Sequence, residues 1–148
     1  MPKLSLRAGS TFDLREGRDG RRWDFTKEED RRTARKQIEH EKPYIVIGSP
    51  PCTTFCALNV RWNHPKMPTE EVEKRKAVGR VLFGFALEIY KLQLKAGRHF
   101  LHEHPATATS WQEPGMQDLC SRPGVSVIVG DQCRYGLQAR GRALANCG

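Results

Sequence analysis

The chain lacks the features that mark membrane and secreted proteins. None of its apolar runs approaches the ~18 residues that a membrane span needs, and its first ten residues, MPKLSLRAGS, lack the apolar core of a signal peptide. Its five cysteines are odd in number and irregularly spaced, which argues against a disulfide framework and for reduced thiols. We therefore expect an intracellular protein without a membrane partner, cytoplasmic or, in a eukaryote, nuclear.

Internal repeats and low-complexity segments are missing as well. A length of 148 residues suits a single core, so residues 1–148 are interpreted as one domain. Positive charge is in excess: 25 Lys and Arg against 17 Asp and Glu give a net charge of +8. Such a surplus raises affinity for polyanions such as nucleic acid, although a solvated basic surface explains it equally well.

Short β-like runs alternate with helical patterns, which predicts an α/β fold. The continuous apolar run YIVIG, residues 44–48, is typical of a central parallel strand covered on both faces. VSVIV, residues 125–129, is predicted to be another buried strand, and RHFLHE, residues 98–103, a further one. Residues 10–14 (STFDL) and 23–25 are predicted to form shorter strands.

Three helices are predicted between these strands. Thr26 and Glu29 form a capping-box pattern for a helix that ends near His40. Thr69 is predicted to cap a long helix that ends before Gly97, and residues 115–122 to form a short one. The long helix carries an apolar stripe at three- and four-residue spacing, which indicates a core face: Val78, Leu82, Phe85, Ile89 and Leu92.

Polar and reactive side chains follow several of the predicted strands. Ligands of open α/β sheets bind beyond the carboxyl ends of the strands. We therefore predict that five residues border one cleft: Asp13, Asp24, Cys52, Glu103 and Gln132.

Cys52 has the chemistry of a nucleophile. Pro50 and Pro51 stiffen its loop through their fixed φ angles, and a thiolate is a strong soft nucleophile for an electron-poor carbon. Glu103 is a candidate proton donor or acceptor beside it. The plainer alternatives are a small buried apolar residue for Cys52 and a solvated side chain for Glu103.

Metal binding and hydrolysis are the chemical rivals. Cys52, Cys56 and His64 lie close in sequence, but their spacing is poor for zinc and no second ligand pair follows, so no metal is expected. A cysteine hydrolase needs a histidine base and an oxyanion hole, and the histidines show no recognisable arrangement for one.

SPPCTTFC and HEHP are preceded by an acidic position and a WDF segment and are followed by DQCRYGL. Together these motifs resemble the DNA (cytosine-5)-methyltransferase family. The similarity is to short members from phage, mobile elements and environmental sequences, and it covers about residues 9–137. It implies a Rossmann-like fold, incomplete here, with a mostly parallel sheet, flanking helices, S-adenosylmethionine as cofactor and DNA as substrate. We expect a monomer.

The resemblance assigns roles to the catalytic pair. Cys52 matches the cysteine of the family's Pro-Cys motif, which adds to C6 of a flipped cytosine. Glu103 matches the glutamate of the Glu-Asn-Val motif, which hydrogen-bonds cytosine N3 and assists that addition. Thr53, Gln132 and Arg134 correspond to substrate-binding positions.

The cofactor positions follow in the same way. Asp13 resembles the acidic residue that binds the cofactor ribose, and Asp24 resembles the one that contacts the adenine amino group. Pro50 and Pro51 fall on the cofactor-binding side of the Pro-Cys motif.

The sequence also departs from the family pattern. Thr53 stands in place of glutamine, Cys56 in place of serine, and His104-Pro105 in place of Asn-Val. No Phe-x-Gly-x-Gly cofactor loop precedes Asp13 and no target-recognition domain is evident, so we interpret the chain as a fragment truncated at its N-terminus. Such a fragment is expected to bind the cofactor poorly.

Two alternatives stay open. One is a nucleic-acid-binding remnant that keeps the fold and charge without turnover. The other follows from SPPC, which resembles the Ser-Pro-Pro-aromatic motif of amino-methyltransferases acting on exocyclic base nitrogens. Cys52 would then occupy the position of an aromatic side chain that stacks on the base.

Overall fold

The computed structural model describes residues 5–15 and 20–131, together with the backbone of 138–139 and 142–143. Over these residues the predicted α/β class is confirmed, with helices packed against a small parallel sheet. The helices are α1 (Glu28–Glu41), α2 (Thr69–Lys95) and α3 (Pro114–Cys120). The strands are β1 (Ile45–Gly48), β2 (His99–His102), β3 (Gln138–Ala139) and β4 (Arg142–Ala143).

Helix α1 forms where the sequence predicts it, but its start is built differently. Its first turn carries Glu28, Glu29 and Asp30, which interact favourably with the positive end of the helix dipole. The predicted capping box is wrong, because the position before the helix is Lys27 and no side chain caps it. The Thr26 hydroxyl instead donates to Asp24 Oδ1 over 2.6 Å.

The sheet pairs β1 with β2 in parallel, with Val46 opposite Phe100 and Gly48 opposite His102. These four residues form the inner face, which the long helix covers. Tyr90 on α2 stacks on Phe100 with ring centroids 4.7 Å apart. Val46 packs against both apolar clusters of the core.

The outer face of the same sheet is open in the part of the chain that the structure describes. Ile47 is 67% exposed and its register partner Leu101 is 52% exposed. The prediction that residues 44–48 are covered on both faces is therefore wrong over this part. Helices α1 and α2 both lie on the Val46 face, where Ala34 and Ile38 share a cluster with Phe85 and Ile89.

Helix α2 is the central element of the core. Its start follows Pro68, so Thr69 is its first residue and does not cap it through its side chain. Phe85 and Ile89 of the predicted stripe are buried, whereas Val78 is 42% exposed. The 27-residue helix is about 40 Å long and the strands are only about 13 Å long, so its first turns project beyond the sheet.

Gln93 on α2 joins the starts of both strands. It is fully buried, and its Nε2 donates to the carbonyls of Pro43 and His99, each over 3.0 Å. Its Oε1 accepts from Arg98 Nε over 2.7 Å.

Helix α2 ends two residues before Gly97, which adopts a left-handed φ of +68°. Within the described ranges, no helix has the length and apolarity to cross a membrane.

The short strand predictions at the N-terminus are wrong. Residues 10–14 and 23–25 are not strands. The two segments are joined by a backbone hydrogen bond that the Trp23 N–H donates to the Asp13 carbonyl over 2.8 Å. Phe12, Trp23 and Phe25 instead form an aromatic cluster, with Phe12 and Trp23 edge to face at 4.8 Å. Their β-like pattern reflects burial against α1 and α2, not membership of a sheet.

The prediction for residues 125–129 is also wrong. This segment has no strand geometry, and Ile128 and Val129 are 86% and 75% exposed. Its apolar composition is that of a buried strand, but no described strand pairs with it. The short helix α3 is confirmed, with Met116 and Leu119 buried in the core.

Candidate active site

Ser49 and Glu103 directly follow the two paired strands. The Glu103 N–H donates to the Gly48 carbonyl over 3.1 Å, so the strand pairing extends one residue past β2. The Ser49 hydroxyl donates to Glu103 Oε2 over 2.7 Å. The carboxylate of Glu103 is therefore held at the carboxyl edge of the sheet, beside the loop that carries Cys52.

Cys52 lies at the start of a tight turn three residues after Ser49. The Phe55 N–H donates to the Cys52 carbonyl over 2.8 Å, and the Thr53 carbonyl accepts from Asn59 Nδ2 over 2.8 Å. The Cys52 side chain is half-buried and its thiol is free. The turn thus presents a reduced thiol on a backbone of defined shape.

His104 connects the Cys52 loop to a short 3-10 helix, Thr109–Gln112. Its Nε2 lies 2.7 Å from the Pro50 carbonyl and its Nδ1 lies 2.7 Å from Ser110 Oγ. A carbonyl can only accept, so His104 Nε2 carries a proton and donates it. In the neutral ring, Nδ1 then accepts from the Ser110 hydroxyl.

The far side of the loop is held as well. The Phe55 carbonyl accepts from the Thr109 N–H over 2.8 Å and from the Thr109 hydroxyl over 3.2 Å. Thr54 packs against Gly79 on α2 so closely that a Cβ added there would lie 2.6 Å from Thr54 Oγ1. Gly79 is therefore required for this loop to approach the helix.

His102 lies under the site on the inner face of the sheet. Burial, followed by the neighbouring His104, lowers the pKa of His102 to about 4, and Glu103 opposes this in part. Tyr90 Oη lies 3.1 Å from His102 Nδ1, and burial raises the pKa of Tyr90 well above its usual range. Both groups are therefore neutral near pH 7.

Two clefts flank the Cys52 loop, and Cys52 itself lines neither. The larger, about 570 Å³, lies between Glu103, Trp111 and residues 127–130. The smaller, about 300 Å³, is lined mostly by polar residues, among them Thr53, Lys66 and Arg75. Glu103 and Thr53 therefore line different clefts.

The two aspartates are used within their own segment. Asp13 is not at a strand end, and its Oδ1 accepts from the Arg15 N–H over 2.9 Å. Asp24 Oδ1 accepts from the N–H and the hydroxyl of Thr26, and these bonds lower the pKa of Asp24. Asp24 Oδ2 lies 3.8 Å from Lys27 Nζ, so the partners of this carboxylate are local as well.

The remaining predicted positions are placed as follows. The carbonyl of Pro50 is bound by His104, and Pro51 is exposed. Gln132 and Arg134 lie outside the described residues. Among the described residues, no group of three or more His, Cys, Asp or Glu side chains is arranged to hold a metal ion.

The sequence did not reveal the structural role of His104, whose ring holds the Pro50 carbonyl. Ser110 was missed completely, although it is fully buried. An isolated buried histidine or serine produces no periodic pattern. The position of His104 directly after a predicted strand and before Pro105 was the one usable signal.

No protein-family model, no curated protein and no solved structure matches this chain.

Proposed function

We propose that this chain is a DNA cytosine-C5 methyltransferase domain of the Rossmann-like class, with Cys52 as nucleophile and Glu103 as its acid partner. One observation carries the proposal. The Cys52 loop and Glu103 follow two hydrogen-bonded parallel strands at the same edge of the sheet, where the Ser49 hydroxyl joins them. That edge is where open α/β sheets bind their ligands.

The reaction requires a bond from the Cys52 sulfur to C6 of an unstacked cytosine. Glu103, in its protonated form, gives its proton to N3, which draws electrons from the ring and favours addition at C6. Ser49 occupies Oε2 of Glu103 and leaves Oε1 for the base. Once C5 carries the methyl group, solvent water takes the C5 proton, and the electron pair of that C–H bond restores the C5–C6 double bond. Cys52 then leaves C6 as a thiolate and N3 returns its proton to Glu103.

S-adenosylmethionine, when bound, supplies the methyl group for C5. The resemblance assigns Asp13 and Asp24 to this cofactor, and carboxylate oxygens can accept the hydrogen bonds of its hydroxyl and amino groups. Asp13 uses one carboxylate oxygen in a local hydrogen bond, which leaves the other oxygen for a ribose hydroxyl. Asp24 Oδ1 accepts from Thr26 and its Oδ2 lies 3.8 Å from Lys27 Nζ, so an amino group would have to displace that exposed ion pair. The net charge of +8 favours a DNA partner.

The proposal is tested by trapping the covalent intermediate. With S-adenosylmethionine and a duplex containing 5-fluorocytosine, the wild-type chain is expected to form an adduct that survives denaturation, because fluorine at C5 cannot leave as a proton. Cys52→Ser should abolish the adduct, measured by intact mass spectrometry. Cys56→Ser, four residues along the same loop, is the matched control and should retain it.

An adduct that persists in Cys52→Ser would disprove the assignment of the nucleophile. Methyl transfer to an exocyclic nitrogen without Cys52 would favour the amino-methyltransferase alternative.

Glu103→Gln tests the acid partner. Glutamine keeps the size and the hydrogen bond to Ser49 but cannot give a proton to N3, so methyl transfer is expected to fall about 10²-fold or more. Ser49→Ala is the control, because it removes only the support of the carboxylate and should cost less. Equal losses in the two variants would contradict proton donation by Glu103. Single-turnover methyl transfer measures both.

A second candidate is DNA binding without turnover. It is favoured by Asp24, whose carboxylate is engaged by Thr26 and whose pKa is lowered as a result. In that case calorimetry shows no binding of S-adenosylmethionine, wild type forms no adduct, and duplex affinity is the same for wild type and Cys52→Ser.

A further inference from the structure

We infer that His104 is a positioning residue that fixes the Cys52 loop through the Pro50 carbonyl. Its catalytic meaning rests on the proposed function, but its effect on the Cys52 thiol does not. The inference starts from the covalent structure of the loop. Neither Pro50 nor Pro51 has a backbone N–H, so between Ser49 and Cys52 the backbone can be anchored only through its carbonyl groups.

The Pro50 carbonyl is anchored by the His104 ring, which is itself fixed on every side. His104 is only 8% exposed. Its Nε2 donates to Pro50 over 2.7 Å, while Ser110, fully buried, holds Nδ1 at 2.7 Å. The ring stacks on Phe83 with centroids 5.7 Å apart and an interplanar angle of 25°. The donor therefore cannot turn away from the loop without breaking packed contacts.

A second anchor acts on the other side of Cys52 and comes from the same short helix. Thr109 donates twice to the Phe55 carbonyl, and its neighbour Ser110 acts through His104 on Pro50. Cys52 lies between these two anchored carbonyls. The 3-10 helix Thr109–Gln112 therefore sets the place of the thiol together with β1.

The test measures the reactivity of individual cysteines in the absence of DNA and S-adenosylmethionine. The rate of iodoacetamide alkylation is followed for each cysteine by peptide mass spectrometry. In His104→Leu the hydrogen bond to the Pro50 carbonyl is lost. Alkylation of the half-buried Cys52 is then expected to accelerate about fivefold to tenfold, because the net free energy of one hydrogen bond changes the population of an open loop by about this factor. Cys120, on α3, reports global unfolding and should keep its wild-type rate.

Two amide variants separate the donor from the bulk of the side chain. Glutamine places its amide nitrogen near the position of Nε2, so His104→Gln is expected to restore the wild-type Cys52 rate to within about twofold. Asparagine is equally polar, but its amide nitrogen lies near the position of Nδ1, so His104→Asn should behave like His104→Leu. Ser110→Ala removes only the support of Nδ1 and should give a smaller increase, which keeps the test available if His104→Leu does not fold.

An unchanged Cys52 rate in His104→Leu and Ser110→Ala would overturn the inference. So would a parallel rise at Cys52 and Cys120, which would mean that His104 stabilises the whole fold and not this loop. The alkylation experiment contains no substrate, so its failure contradicts only the role of His104. A chain that does not transfer methyl groups, which would contradict the proposed function, should still show the expected alkylation pattern.

Discussion

Both faces of the β1–β2 sheet carry large apolar side chains, but the surroundings of the two faces are opposite. On the inner face, Val46 and Phe100 pack against the core, and Gly48 lies against Tyr90. On the outer face, Ile47 and Leu101 are side by side and more than half exposed. Alternate residues of four-residue strands therefore contribute very differently to stability.

The difference also locates the site. Glu103 and the Cys52 loop emerge from the end of the sheet whose inner face is most tightly packed, around Gly48, His102 and Tyr90. The packed inner face fixes the ends of the strands. The residues that follow the strands, Cys52 and Glu103 among them, are not needed for that packing and can serve as reactive groups. Substitutions on either face test this difference.

The largest effect is expected at Gly48. A Cβ added there would collide with the Tyr90 hydroxyl, and both groups are held in the packed face. We expect Gly48→Ala to lower the free energy of unfolding by about 3 kcal/mol, measured by urea denaturation. Gly84→Ala is the matched control, because an added Cβ on α2 meets nothing within 4 Å and should stabilise the helix by about 0.5–1 kcal/mol. Similar losses in the two variants would contradict the close contact at Gly48.

Phe100 and Leu101 are neighbours on opposite faces, and truncating each compares the faces directly. Phe100→Ala removes a ring stacked on Tyr90 and is expected to cost about 2–3 kcal/mol. Leu101→Ala removes a side chain that is already 52% exposed and should cost less than about 1 kcal/mol. The measurement is again equilibrium unfolding. Equal costs would show that the outer face is covered in solution.

A pH dependence is also expected from His102 on the inner face. Its pKa is about 4 in the folded chain and 6.5 when unperturbed, so between these values the unfolded chain binds a proton that the folded chain does not. Stability should therefore fall as pH drops from 6.5 to about 4, with a slope of at most about 1.4 kcal/mol per pH unit.

His102→Phe keeps an aromatic ring and removes the titration, so it should lose this slope. Carboxylates such as Asp118, whose pKa is lowered by Lys91 and Arg122, act at lower pH in both proteins. An identical slope above pH 4 in the variant would assign the dependence to other groups.

The sequence was sufficient for the elements whose pattern is local and long. Helices α1 and α2 and strands β1 and β2 lie where periodicity and apolar runs predict them, within a few residues. Details at helix starts were not predictable. Thr26 and Glu29 match a capping box, but the Thr26 hydroxyl donates to the Asp24 carboxylate and does not cap the helix. This hydrogen bond depends on the conformation of the turn before the helix, which the capping-box sequence pattern does not specify.

The failures at longer range have a common cause. Residues 125–129 have the composition of a buried strand, yet composition cannot supply the partner that burial requires, and Ile128 is among the most exposed apolar side chains described. At the site, the approach of Ser49 to Glu103 joins residues 54 positions apart. The parallel pairing of their strands made this approach predictable. The anchoring of Pro50 by His104 was not, because it depends on one buried ring.

The parallel pairing of β1 with β2 also has a consequence for the order of folding. Ile45 pairs with His99, and the chain between them includes all of α2. Helices form within about a microsecond, whereas closing so long a loop before any strand contact forms is slow. We therefore expect α2 to form early and the ends of the strands to join late. Substitutions at Ser49, Glu103 and His104 should then accelerate unfolding while leaving the folding rate almost unchanged.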